Sequence, residues 1–148
     1  MIDSSGTLKQ PTTLLSQYLN VAMDPEPNRD KVREVFRQMY ANPLLLSDIV
    51  VDGFMGIIRD QGAKNAFKTA FNDSTTRPIG PERLETIKDI PCLLIWGDQD
   101  NVIPEKNSDE FKNHLNKVVY EKIEGTGHAP FVEKTSIVYE KIRSFLTR

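Results

Sequence analysis

Pro91-Cys92-Leu93-Leu94-Ile95-Trp96, followed by Gly97-Asp98-Gln99-Asp100-Asn101-Val102-Ile103-Pro104, is the stretch that decides the fold. A short apolar run ends in a polar, Gly-bearing loop. The pattern recurs downstream: Val118-Val119-Tyr120-Glu121-Lys122-Ile123 leads into Glu124-Gly125-Thr126-Gly127-His128-Ala129-Pro130. Between the two units lies a polar segment with Phe111 and Leu115 at helical spacing. Strand, loop, helix, strand, loop implies two neighbouring parallel strands. Parallel neighbours send both following loops to the same edge of the sheet, where ligands bind in open α/β sheets. The spacing therefore predicts that Asp100 and His128 meet in space although they are far apart in sequence. A carboxylate that fixes the tautomer and orientation of a histidine equips it as the general base for a nucleophile.

Trp96-Gly97-x-x-Asp100-x-x-x-Pro104 followed by Gly127-His128 resembles the acid and histidine loops of the α/β-hydrolase superfamily. In that family the chain order is nucleophile, acid, histidine. The resemblance implies Asp100 as the acid, in preference to the more solvated Asp98, and His128 as the base. It implies acyl transfer to water without cofactor or metal. The family nucleophile sits in a Gly-x-Ser-x-Gly elbow, and no such pattern occurs in these 148 residues. Ser4 and Ser5 are read as loop serines. The opening Met1-Ile2-Asp3-Ser4-Ser5-Gly6 resembles the end of the strand that follows the elbow helix. The expectation is a partial α/β-hydrolase fold, roughly its C-terminal half, with two triad members and the nucleophile upstream of Met1.

Residues 1–7 are read as a strand end of the hydrolase core, 8–90 as a helical cap with its return to the core, and 91–148 as the C-terminal α/β part. Within 8–90 a helix is predicted over Thr12 to Met23, ended by Asp24-Pro25-Glu26-Pro27. Asn28 caps a second, in which Val32, Val35, Phe36, Met39 and Tyr40 follow helical spacing up to Asn42-Pro43. Ser47 or Asp48 caps a third. A fourth follows Gly62, and Asn72 to Gly80 reads as a polar loop. Pro81 to Ile87 offers a short helix. Phe36, Met39, Phe54, Met55, Phe67 and Phe71 either line a pocket or form the core of the helical layer itself; amphipathic helices need such a stripe, which favours the core. The helical insertion resembles caps of carbon–carbon bond hydrolases of ring-fission products and of related esterases. Ala129 stands where the ring-fission enzymes tend to carry an aromatic residue, so the narrow substrate class stays open.

Beyond Trp96, a helix is predicted from Pro104 to about Asn116. A last one begins near Thr135, with Ile137, Val138, Ile142, Phe145 and Leu146 inward. His114 lies mid-helix among polar residues and reads as exposed. Net charge is −2 with 27% charged residues and no long run of one sign, which favours neither nucleic acid nor a membrane surface. The single Cys92 reads as a buried structural thiol, and a cytoplasmic location is expected. Two readings compete: a hydrolase portion that acts on a small-molecule substrate once an N-terminal half completes it, and a non-catalytic interaction module derived from the same fold. The apolar side chains of Ile2, Leu93, Ile95 and Val119 are expected to be partly uncovered, which favours self-association or docking of such a half.

Overall fold

β-Branched and aromatic side chains concentrate in the two apolar runs, and these are the strands of the computed structural model, which describes residues 1–147. Strand β1 is Cys92–Gly97 and β2 is Val118–Ile123. They pair in parallel, from Cys92 opposite Val118 to Gly97 opposite Ile123. The chain start runs along the other side of β1. Ile2 forms a parallel bridge with Ile95, the Asp3 N–H donates to the Ile95 carbonyl at 3.0 Å, and the Ile95 N–H donates to the Met1 carbonyl at 2.9 Å. All three segments thus end at the same edge.

Four helices precede β1: α1 (Thr13–Met23), α2 (Arg29–Arg37), α3 (Asp48–Arg59) and α4 (Gln61–Thr76), with α5 (Pro81–Glu85) leading into the strand. The caps are local chemistry. Thr12 Oγ1 accepts the Leu15 N–H, Asn28 Oδ1 accepts those of Asp30 and Lys31, and Asp60 Oδ1 accepts that of Ala63. Ser47 occupies the N-cap of α3 without a side-chain bond. Tyr18, Phe36, Phe54 and Phe67 stack with centroids 4.8–5.7 Å apart, so these aromatics form the core of the helical layer.

After β1 come α6 (Ser108–His114), β2, then α7 (Pro130–Glu133) and α8 (Thr135–Leu146). Leu94 and Trp96 face a core shared with Leu84 of α5 and Phe111 of α6. Leu93 and Ile95 face Ile123 and Val138. β1 is therefore covered on both faces, as parallel strands require. This corrects the expectation that Leu93 and Ile95 are uncovered: they are 9% and 0% exposed because α8 lies over them. Ile2 and Val119 remain half-buried.

Three boundaries and one helix face differ from the sequence reading. α2 stops at Arg37 because the next N–H groups turn back three residues rather than four, Met39 to Phe36 and Tyr40 to Arg37. α4 runs through Asn72 to Thr76; that stretch holds no Gly or Pro, and the Thr76 hydroxyl returns to the Asn72 carbonyl. Pro104 precedes a 3₁₀ turn over Glu105–Asn107 rather than opening the helix. Ile137 and Leu146 point outward while Val138 is buried, because the face of α8 that meets the sheet is narrower than its apolar content. The short α7 was not anticipated.

Two glycines set the packing of the sheet edge. A Cβ on Gly97 would lie 2.1 Å from the Gly127 carbonyl oxygen and 2.6 Å from that of Thr126. A Cβ on Gly127 would lie 2.2 Å from the Met39 carbonyl oxygen. Both obstacles are backbone. Gly97→Ala should therefore lower the urea midpoint by the equivalent of about 1–3 kcal/mol or more, the range of overpacking. Gly53→Ala, in open space on α3, should raise it by about 0.5–1 kcal/mol. Equal midpoints for Gly97→Ala and the parent would disprove the close approach.

Candidate active site

β1 delivers Asp100 and β2 delivers His128. Asp100 is buried with its side chain 0% exposed. Its Oδ1 accepts the backbone N–H groups of Val102 at 2.8 Å and Ile103 at 2.9 Å. The loop thus folds around its own carboxylate, an Asx-type arrangement that holds the second oxygen toward the neighbouring loop. His128 Nδ1–H donates to that Oδ2 at 2.9 Å. The imidazole is 32% exposed. With Nδ1 engaged by a carboxylate, Nε2 is left as the basic nitrogen.

The histidine loop is fixed by three contacts. The His128 N–H donates to the Met39 carbonyl at 2.7 Å, an acceptor freed by the early end of α2. Glu133 on α7 accepts the Gly127 N–H through Oε1 at 2.6 Å and the Asn42 N–H through Oε2 at 3.0 Å. Thr126, fully buried, donates its hydroxyl to the Ile123 carbonyl at 2.7 Å. Gly125 takes φ +64°, the left-handed conformation that glycine adopts without strain. Asp98 is exposed and accepts the Thr126 N–H at 3.3 Å, a link between loops. Ser4 Oγ accepts the Gly6 N–H at 3.4 Å, as a loop serine does. His114, at the C-terminus of α6, is half-buried and lies 3.7–3.8 Å from Glu110 and Glu85.

Sequence reasoning passed over Asp3 and Glu133. Asp3 lies at the end of the first strand segment, so the parallel topology puts it at the same edge; that was the available signal. Glu133 carried none, because its partners are backbone N–H groups, of Gly127 nearby and of Asn42 far along the chain. Asp3 is 5% exposed, and its Oδ1 accepts the Gly97 N–H at 3.0 Å. One ligating atom from each of Asp3, Asp100 and His128 lies within 4.8 Å of the others. His128 Nδ1 and Asp100 Oδ2 are already each other's partners, so the set fits a proton-sharing cluster better than a metal site. A cleft of about 750 Å³, lined by Gln17, Arg37, Tyr40, Gln99 and Asn101, flanks the acid loop.

Burial pushes the Asp3 carboxyl up to about 7, and the nearby Asp100 charge adds to the rise. Burial works against a charged His128, but the Asp100 hydrogen bond and charge, with help from Asp3, outweigh it and hold the imidazole above its ordinary value.

Residues 10–135 match the model of the alpha/beta hydrolase fold family, and the chain belongs to that family. Its sequence is 30% identical over 103 residues to the "Putative esterase/lipase 2" of Mycoplasma pneumoniae, covering 66% of this chain and 37% of that protein. It is 24% identical over 151 aligned positions to the uncharacterized hydrolase YugF of Bacillus subtilis, covering 99% of this chain and 55% of that protein. The chain thus spans about a third to a half of the curated relatives it matches. It superposes with a TM-score of 0.80 on the 2-hydroxy-6-oxo-6-phenylhexa-2,4-dienoate hydrolase of Rhodococcus sp. strain RHA1, at 16% identity over 99% of this chain and 54% of that one. The chain is esterase/lipase-like in sequence and carries part of an α/β-hydrolase fold. No described helix is long and apolar enough to cross a membrane.

The raised carboxyl and the raised imidazole act on stability in the same direction. A folded Asp3 that keeps its proton up to about 7, against 3.8 for the free group, favours the folded state at low pH and loses that advantage as pH climbs between the two values. The His128 contribution is complete below the ordinary imidazole value and is lost as pH rises through its higher folded value. The melting temperature should therefore fall steadily from pH 5 to pH 8, and Asp3→Asn should flatten the lower part of that slope. A curve that rises over this interval would contradict the assignment.

Proposed function

We propose that this chain is the acid- and histidine-bearing portion of a serine-type α/β-hydrolase that transfers acyl groups to water, acting on ester or carbon–carbon bond substrates. The observation that carries this reading is the 2.9 Å bond between His128 Nδ1 and a fully buried, fully hydrogen-bonded Asp100, with the imidazole open on its other side. In the reaction, a serine hydroxyl contributed by an N-terminal half attacks the substrate carbonyl while His128 Nε2 takes its proton. Asp100 holds the tautomer and stabilises the imidazolium. His128 then returns the proton to the leaving group, and water repeats the cycle on the acyl-enzyme. Backbone N–H groups of the N-terminal half hold the oxyanion. The layer α1–α4 acts as the cap over the substrate, joined to the histidine loop through Met39 and Glu133.

The partner half is supported by two features. The chain spans 37% and 55% of the two relatives above. The Met1–Asp3 segment makes its backbone bonds to β1 alone among the described residues, and an apolar groove lined by Met1, Ile2, Ile142, Phe145 and Leu146 runs beside it. A further parallel strand and its helix fit there.

Co-expression with the N-terminal half of a relative, bearing the Gly-x-Ser-x-Gly elbow, should give a soluble complex that hydrolyses a nitrophenyl ester. The chain alone should not. His128→Ala should remove the activity, and Asp100→Asn should lower kcat by about 10⁴. Robust turnover by the isolated chain that His128→Ala abolishes would place a nucleophile within these residues and overturn the divided-site reading.

A further inference from the structure

Asp3 stands apart from every other carboxylate in the chain. It is the one non-glycine residue with positive φ among the described residues, at +41°. Such a backbone is held only where the surroundings over-determine it, and strain of this kind gathers at functional positions. The side chain is buried, one oxygen bonds the Gly97 N–H, and the other, Oδ2, is buried without a hydrogen-bond partner. A buried carboxyl with an orphaned oxygen is costly unless it holds a proton or faces a positive charge. Both conditions are available here, because Asp3, Asp100 and His128 lie within one 4.8 Å cluster.

We propose that Asp3 is a second carboxyl partner of His128, a positioning residue that shares with Asp100 the work of holding the charged imidazole. The charged groups that face Asp3 are Asp100 from the loop after β1, His128 from the loop after β2, and Glu133 from α7. Two of the three are acids, which favour a protonated Asp3 while the imidazole is neutral. When His128 gains a proton, the balance reverses: Asp3 is favoured as the anion and gives up its own proton to solvent. The cluster thus passes between two arrangements that differ little in net charge, an advantage where two of the three groups are buried. Both oxygens of Asp100 are engaged by donors, two backbone N–H groups and the imidazole, whereas Oδ2 of Asp3 has no hydrogen-bond partner.

The catalytic meaning of this inference rests on the proposed function; its physical content does not. The test therefore uses the 148-residue chain without substrate. The chain has two histidines, so the ring protons of His128 can be assigned against His114→Asn and titrated by NMR. Asp3→Asn keeps an oxygen for the Gly97 N–H and removes only the charge. It should move the His128 midpoint downward and remove any second inflection that coupling to Asp3 imposes. A role limited to pinning Gly97 would leave the curve unmoved. Carbon-13 labelling of aspartate carboxyls in the unaltered chain gives a second readout that needs no variant to fold: Asp3 should titrate near neutrality, apart from the other aspartates. A His128 curve unchanged by Asp3→Asn, or an Asp3 carboxyl that titrates with the ordinary aspartates, overturns the inference. Either result leaves ester hydrolysis by the co-expressed complex free to succeed or fail on its own.

Discussion

Three backbones approach one another at the sheet edge more closely than any side chain would allow. Gly97 lies against the carbonyls of Thr126 and Gly127, and Gly127 lies against the carbonyl of Met39. The acid loop, the histidine loop and the turn after α2 are stacked at these points. Everything that gives the site its geometry follows from this contact. It brings the Asp100 carboxylate level with the imidazole, and it lets the His128 N–H reach the helical layer. Glycine is required because the obstacles are main-chain atoms that cannot swing aside.

On that scaffold the electrostatics divide into a saturated group and an unsaturated one. Asp100 is buried, but each oxygen has donors, so its burial costs little beyond what the hydrogen bonds return. Asp3 is as buried and has one oxygen satisfied. The contrast explains why burial moves Asp3 so far upward.

The helical layer and the histidine loop are joined by hydrogen bonds to backbone rather than by side-chain pairs. Met39 accepts from His128, and Glu133 bridges Gly127 and Asn42. Such links are indifferent to most side-chain substitutions in the helices.

The two strands, their parallel relation, the shared edge of their loops, and Asp100 and His128 as residues that meet there were legible in the chain itself. Short apolar runs ending in Gly-bearing loops encode these features locally, and parallel topology does the rest. Helix existence was legible for the same reason, since 3.6-residue spacing and a cap residue such as Asn28 are local signals. Helix ends were less so: α2 stops at Arg37 and α4 continues to Thr76 although composition argued otherwise. Tertiary structure alone decided that α8 covers Leu93 and Ile95 and that Glu133 ties the histidine loop to the Asn42 backbone. Each of these depends on contacts between segments dozens of residues apart. Their partners are backbone atoms or buried space, and neither leaves a pattern in the order of the side chains.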